Sequence, residues 1–475
     1  MGAFFSILSW LFSDPRGANR GAPFLYLPTT PAFLARKTTE KSGGPGDPTC
    51  TGTEVSLAEF LTERCPSFMK PYVPTWWLPN GHFQTIWCAL GDFEKDDIVP
   101  YKRTLLTVPD GGQMGLDWAE PEGEDLPANT PIIVVLHGLT GGSYEPYVRT
   151  VLSVACKSKS EGGLGYRACV MNFRGCAGVE LLTAQHFSGG YTGDIRTALL
   201  YISGLYPDAP LLGIGFSLGA NVLTLLVNED GEDCRLTSAC VMACPWDNVK
   251  NSDKLEKRWI NHAIYSKAMG GTLIALFNRG AAKIATFDNP SAITPHLAAL
   301  MAMKNPDFID VNRHFTSIMG GSSPPFPFPT VEAYYKWSSA DKSLDKIRIP
   351  FLALNALDDP IVAEIPLQEA GKNPMVGFVV TEKGGHLGWF VGGGFLGRGA
   401  PIKKWHVQPL CEWFQAITSD YVESRPNKNR GKARFVNEEG FTMEEGSGPF
   451  VGFKVKSVGV PVVDSGPASG QVKGL

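Results

Sequence analysis

The stretch LLGIGFSLGANVL, residues 211 to 223, sets a serine between two glycines. Gly215, Ser217 and Gly219 form a Gly-x-Ser-x-Gly pattern, which chance also produces in a long glycine-rich chain, so the surrounding residues must decide its meaning. A serine hydroxyl becomes a useful nucleophile when a histidine takes its proton and a carboxylate orients that histidine. Both residue types stand further along the chain. Asp358 and Asp359 end the apolar run in LALNALDDP, and His386 lies in EKGGHLGWF, after the next apolar run. Neighbouring side chains at a strand end point opposite ways, so only one aspartate should reach His386. Asp359 is preferred and Asp358 is the alternative acid. Ser217 as nucleophile, His386 as base and one of these carboxylates as its partner would support covalent acyl transfer.

Such a nucleophile needs a strand that ends at the serine and a helix that begins there, with no side chains at the flanking glycines. LLGIGF supplies the strand and GANVLTLLVNE the helix. The first amides of that helix have no partner within it and point to where an oxyanion would develop. Leu218 is therefore one expected oxyanion-hole donor. HGLTGGS follows the apolar run PIIVVL, and its Leu139 amide is the expected second donor. Two such donors contribute about 2.7 to 4 kcal/mol each. His137 precedes the serine in the chain and is expected to orient this loop.

The segments around these residues alternate at short intervals. KRTLLTVPDGGQMGLDWAEP suits two antiparallel strands joined at Asp110-Gly111-Gly112. PIIVVL, RACVMN, LLGIGF, SACVM, PFLALNA and GFVVT are apolar runs of strand length, separated by helical spacing at residues 193 to 205 and 218 to 229. That rhythm implies crossovers of one hand and an α/β fold, a mostly parallel sheet with helices on both faces. Residues 246 to about 340 change to helical segments broken by GGSSPPFPFP, as an inserted helical cap would. Its aromatic residues from Phe326 to Trp337 are expected to line an acyl channel. The expected divisions are an arm or linker over 1–66, the main domain over 67–423 and a polar, glycine-rich tail over 424–475.

A 43% hydrophobic and 19% charged composition is ordinary for a globular chain, which argues against extensive disorder. A formal net charge of -4 with scattered Lys and Arg offers no basic stripe for nucleic acid. Ten cysteines in irregular positions suggest free thiols in a reducing compartment rather than a disulfide framework or zinc site. No cofactor or metal is called for. MGAFFSILSWLF at residues 1–12 lacks the basic start of a secretory signal, so secretion is not expected. The expected setting is intracellular, cytoplasmic or peripherally membrane-associated, with residues 1–12 as the candidate membrane contact.

WLPNGHFQTIW, VVLHGLTGGS, NFRGCAGVE, FSGGYTGDIRTAL, GFSLGANVL, LNALDDP and GGHLGWF occur in that order between about Pro71 and Thr418. The set resembles one family of α/β hydrolases. That family includes YheT-like bacterial hydrolases, the first three mammalian ABHD proteins and fungal medium-chain fatty-acid ethyl-ester synthase/esterases. The resemblance implies an α/β-hydrolase fold and a serine carboxylesterase. In the fungal branch it implies alcohol O-acyltransfer from acyl-CoA as well. It carries the catalytic roles onto Ser217, one of Asp358 and Asp359, and His386. Asn80 and His82 are expected to fasten loops, and Arg174 to pair with a buried carboxylate or carbonyls near the site. Substrates would be a small acyl ester or acyl-CoA with water or an alcohol. A lipid- or phospholipid-directed esterase and a non-catalytic binding protein of the same fold are the alternatives. GGGFLG from Gly392 matches a dinucleotide fingerprint but follows a loop and opens no helix.

Overall fold

Six strands, each buried along its whole length, form the centre of the molecule: Val376–Thr381, Phe351–Ala356, Ser238–Met242, Leu211–Phe216, Ile132–Leu136 and Arg167–Asn172. They lie side by side in that order and all run parallel. The structure, a computed structural model, describes residues 21–30, 32–36, 53–286, 292–369, 371–398, 401–422 and 432–462. Continuous apolar runs are what such strands need, because both faces are covered. Ile132, Val134 and Leu136 enter one core, and Ile133 and Val135 the other. Helices Gly193–Leu205 and Leu218–Asp230 contribute to the first core, Pro146–Ala155 and Val407–Asp420 to the second.

The hairpin Lys102–Thr107 and Gln113–Ala119 joins the sheet antiparallel to Arg167–Asn172. Further growth at both edges departs from the expected divisions. Phe24–Tyr26, in the supposed arm, pairs antiparallel with Val376–Thr381. Gly452–Pro461, in the supposed tail, pairs antiparallel with Lys102–Thr107, and two short strands follow to complete twelve. The alternating FVGFKVKSVGV pattern is thus an added strand of the main sheet. Helix Leu57–Arg64 also lies within the expected linker. Ser56 and Glu59 cap it reciprocally, a local start signal strong enough to set a helix of two turns.

Between Met242 and Phe351 the chain is helical, with Asn248–Lys257, Lys267–Ile284 and Val331–Ser338 as the longer pieces. Two π-helical turns, His262–Ser266 and Asn312–Thr316, interrupt this region. No helix among the described residues is long and apolar enough to cross a membrane. Residues 1–12 lie outside the described residues.

Arg174 shows how the hairpin is tied to the parallel strands. Its guanidinium, 2% exposed, donates to both oxygens of Asp194 at 2.8 and 2.7 Å and also to Asp110. Asp110 occupies the hairpin turn and Asp194 the first turn of helix Gly193–Leu205, so one cation fastens two elements. Removing one partner of a buried ion pair costs about 3–5 kcal/mol. Arg174→Met is therefore expected to unfold several degrees below wild type in a thermal melt; an unchanged midpoint would show that this pair does not hold the hairpin.

Candidate active site

Ser217 sits between strand Leu211–Phe216 and helix Leu218–Asp230 with φ 50° and ψ -117°. A non-glycine residue pays for that backbone only where surroundings over-determine it. Here the Ser217 amide donates to Met242 O at 2.9 Å, while its carbonyl accepts from Ala220 N. The flanking glycines are obligatory for space. A Cβ on Gly215 would lie 2.6 Å from Gly219 O, and one on Gly219 would lie 2.4 Å from Leu136 O.

His386 Nε2 lies 2.7 Å from Ser217 Oγ, and its Nδ1 lies 2.8 Å from Asp359 Oδ2. All three residues are buried. Asp359 Oδ1 accepts from the amides of Ile361 and Val362 at 2.7 and 3.0 Å. Burial pushes the Asp359 carboxyl up, but His386 and these amides outweigh it and hold the group below the usual carboxylate range. Asp358 turns the other way, as alternation requires, and accepts from Gly385 N at 2.9 Å. Its carboxyl is pushed up to about 6, first by burial and then by the Asp359 charge. The two consecutive aspartates therefore do different things: Asp359 meets the imidazole, and Asp358 grips the loop that carries it.

The loop after Ile132–Leu136 closes over the serine from the other side. A Cβ on Gly138 would come 3.5 Å from Ser217 Cβ. Gly138 N donates to the Tyr147 hydroxyl at 3.0 Å, and Ser143 Oγ donates to Asp117 at 2.6 Å. Asp117 is itself held bidentately by Arg103 at 2.6 and 2.7 Å. His137 bridges this loop to the next strand: its Nδ1 is 2.7 Å from Gly138 O, and Phe173 N donates to its Nε2 at 3.2 Å. That pattern places the proton on Nδ1, and burial lowers its pKa to about 4. His137 is thus a neutral fastener. The Leu139 and Leu218 amides have no protein acceptor among the described residues.

The His386 loop is held by helix Gly81–Leu90, in a way the sequence does not disclose. His386 N donates to Thr85 Oγ1 at 2.8 Å, and Phe390 N donates to Gln84 Oε1 at 2.9 Å. Gly81 must be glycine because a Cβ there would lie 1.9 Å from Asp358 O. Asn80, expected to fasten a loop, caps this helix by accepting from Phe83 N at 3.2 Å. His82 reaches the cap instead, with Nδ1 2.8 Å from the Tyr265 hydroxyl. Gln84 and Thr85 look unremarkable in NGHFQTIW; only their burial, beside a loop some 300 positions away, makes them important.

Leu139 and Leu218 front a cavity of about 50 Å³, closed over by Phe308, Tyr334 and Tyr335 of the cap. A water needs roughly 10–15 Å³ of such volume, so three to five non-hydrogen atoms fit. The expected aromatic lining is thus partly met. Phe326 and Trp337 do not line the cavity but pack on each other, with ring centroids 5.4 Å apart. Among the described residues one set could share a metal ion, Glu256, His262 and Asp307 in the cap. Lys267 already pairs with that Asp307 at 2.7 Å.

No protein-family model matches the chain. Over 348 residues it is 31% identical to human phospholipase ABHD3, covering 72% of this chain and 79% of that protein. The chain belongs to that family of α/β hydrolases. Two relatives from Saccharomyces cerevisiae extend the comparison. A monoacylglycerol lipase is 28% identical over 411 residues, covering 76% of this chain and 84% of its own length. Medium-chain fatty acid ethyl ester synthase/esterase 2 is 27% identical over 428 residues, with 76% and 89% covered. As a member of this lipase and esterase family, the chain is an ester hydrolase.

Two outcomes are expected from this geometry. Thr85→Val removes the acceptor for His386 N, worth about 1–3 kcal/mol, and should lower kcat on a soluble ester roughly tenfold or more with little change in KM. An unaltered kcat would release Thr85 from the positioning role. Asp358 keeps its proton up to about pH 6 when folded, against about 3.9 when unfolded, so its contribution to stability falls as pH rises through that window. The unfolding temperature of wild type relative to Asp358→Asn should therefore drop between about pH 4 and pH 6; a constant difference would contradict the raised pKa.

Proposed function

We propose that Ser217, His386 and Asp359 are the nucleophile, general base and orienting acid of an acyl-enzyme cycle on medium-chain carboxylic esters. The observation that carries the reading is the single imidazole that reaches Asp359 through Nδ1 and Ser217 through Nε2. His386 takes the hydroxyl proton as Ser217 Oγ attacks the acyl carbonyl. The Leu139 and Leu218 amides receive the oxyanion. His386 then gives the proton to the departing alkoxide, or to a coenzyme A thiolate, and an acyl-serine remains. Water or an alcohol surrenders a proton to the same nitrogen, attacks the acyl-serine and regenerates the hydroxyl.

The balance between water and alcohol decides whether the product is an acid or a new ester. The yeast ethyl ester synthase/esterase supports an acyltransferase as well as an esterase, and the cap closing over the cavity supports partial exclusion of water. At about 50 Å³ the cavity takes only a short part of an octanoyl chain, so a medium-chain substrate requires the Tyr334–Tyr335 helix to yield. The names of phospholipase ABHD3 and the yeast monoacylglycerol lipase favour a second reading for the substrate, a glycerolipid ester.

The test is incubation with octanoyl-CoA and with p-nitrophenyl octanoate, each with and without ethanol. Ethyl ester from wild type would support transfer, and free acid alone would restrict the reaction to hydrolysis. Ser217→Ala should lower turnover by about four to six orders of magnitude and Asp359→Asn by about four, with Asp358→Asn far less affected. Turnover that survives in Ser217→Ala would overturn the assignment.

A further inference from the structure

The loop that begins at Asp359 is held from the cap. It runs Asp-Pro-Ile-Val-Ala over residues 359 to 363, and the Asp359 carboxylate itself takes the amides of Ile361 and Val362. Four further backbone groups of this loop go to cap residues. Lys254, on helix Asn248–Lys257, donates from Nζ to Asp359 O and to Val362 O, each at 2.6 Å. Asn261 Nδ2 donates to Pro360 O at 2.6 Å, and Asn251 Oδ1 accepts from Ala363 N at 2.7 Å. The bond from the strand end is longer: Asp359 N donates to Ala356 O at 3.3 Å.

Bonds from an ammonium to carbonyls are charge-assisted and roughly twice as strong as neutral ones. Lys254 is half-buried, and that burial lowers its pKa from the usual lysine range; the Asp359 charge opposes the shift, Arg258 adds to it and Asp358 opposes it. His82 faces the same amine, and burial followed by the Lys254 charge lowers its pKa as well. Lys250, one turn earlier on the helix, pairs instead with Glu364, and both side chains are exposed, an arrangement that contributes little. The start of this helix meets the cavity. Asn248 lines it, donates from N to Ser339 Oγ at 2.9 Å and from Nδ2 to Ser338 O at 3.1 Å. One helix therefore joins the cavity wall to the Asp359 loop, about 9 Å apart by helical rise.

We infer that Lys254 is a positioning residue for Asp359: it clamps the acid loop to the first cap helix, so that the acid meets His386 correctly only while that helix is docked. The inference rests on the reading of Ser217, His386 and Asp359 as a triad. The strand end brings Asp359 near the imidazole, and the cap fixes where its loop lies. A misplacement of about 1 Å from a group remote from the chemistry can cost roughly a hundredfold in rate. It follows that the helix which yields to an acyl chain, Val331–Ser338, moves while Asn248–Lys257 stays in place.

The test is steady-state turnover of p-nitrophenyl octanoate by Lys254→Met, alone and combined with Asp359→Asn. The single variant should lose roughly ten- to hundredfold in kcat, with KM changed less than about threefold and circular dichroism as in wild type. In the Asp359→Asn background the same substitution should cost less than about threefold, because the group it positions is already disabled. Lys250→Met should keep the wild-type kcat; a loss equal to that of Lys254→Met would trace the effect to the helix as a whole and overturn the role of Lys254. Wild-type kcat in Lys254→Met would also overturn it, as would an equal loss in both backgrounds, which is what general loosening of the fold produces. If Lys254→Met does not fold, Asn261→Leu, which drops the bond to Pro360 O, carries the same cycle with the same expected and contrary results. Turnover surviving in Ser217→Ala would sink the triad reading and the clamp with it. An inactive Ser217→Ala beside a fully active Lys254→Met would overturn the clamp alone.

Discussion

One imidazole makes two hydrogen bonds, and the fold has to hold three strand ends in register for both to form. Ser217 follows Leu211–Phe216, Asp359 follows Phe351–Ala356 and His386 follows Val376–Thr381. These strands are parallel, so their carboxyl ends lie along one edge, where open α/β sheets present their ligand sites. Strand Ser238–Met242 lies between the serine and acid strands, and its Met242 carbonyl takes the Ser217 amide. Sheet register thereby reaches the backbone of Ser217 itself.

Parallel strands fix where the loops begin, but the loops still need to be held. On the histidine side, Thr85, Gln84 and Asp358 each bond a backbone amide of the segment from Gly385 to Phe390. On the opposite side, Tyr147, Asp117 and His137 fix the turn that carries Leu139. Arg103 supports Asp117 from the antiparallel hairpin, and Arg174 fastens that hairpin to helix Gly193–Leu205. These polar groups are largely buried and hydrogen-bonded, which gives each loop a single arrangement.

The parts of this picture legible in the sequence are those set by short-range constraints. The serine turn declares itself because Gly215 and Gly219 have no room for a Cβ. The six inner strands are legible as unbroken apolar runs, because burial on both faces leaves no alternation. Asp358 and Asp359 could be told apart only by knowing which face of the strand end each occupies. Thr85 and Gln84 gave no sign, since their partners are some 300 positions away. The alternation of residues 450–460 signals a strand, yet nothing local names Lys102–Thr107 as its partner. A pattern can show what an element is without showing what it touches.

The central claim is that Ser217 carries the acyl group between donor and acceptor. Rapid quenching of wild-type enzyme during turnover of p-nitrophenyl octanoate, followed by peptide mass spectrometry, tests it most directly. The account predicts an octanoyl adduct on the peptide that contains Ser217, formed and lost at rates consistent with turnover. Sustained turnover with no adduct on that peptide, or with the acyl group on another residue, would contradict it.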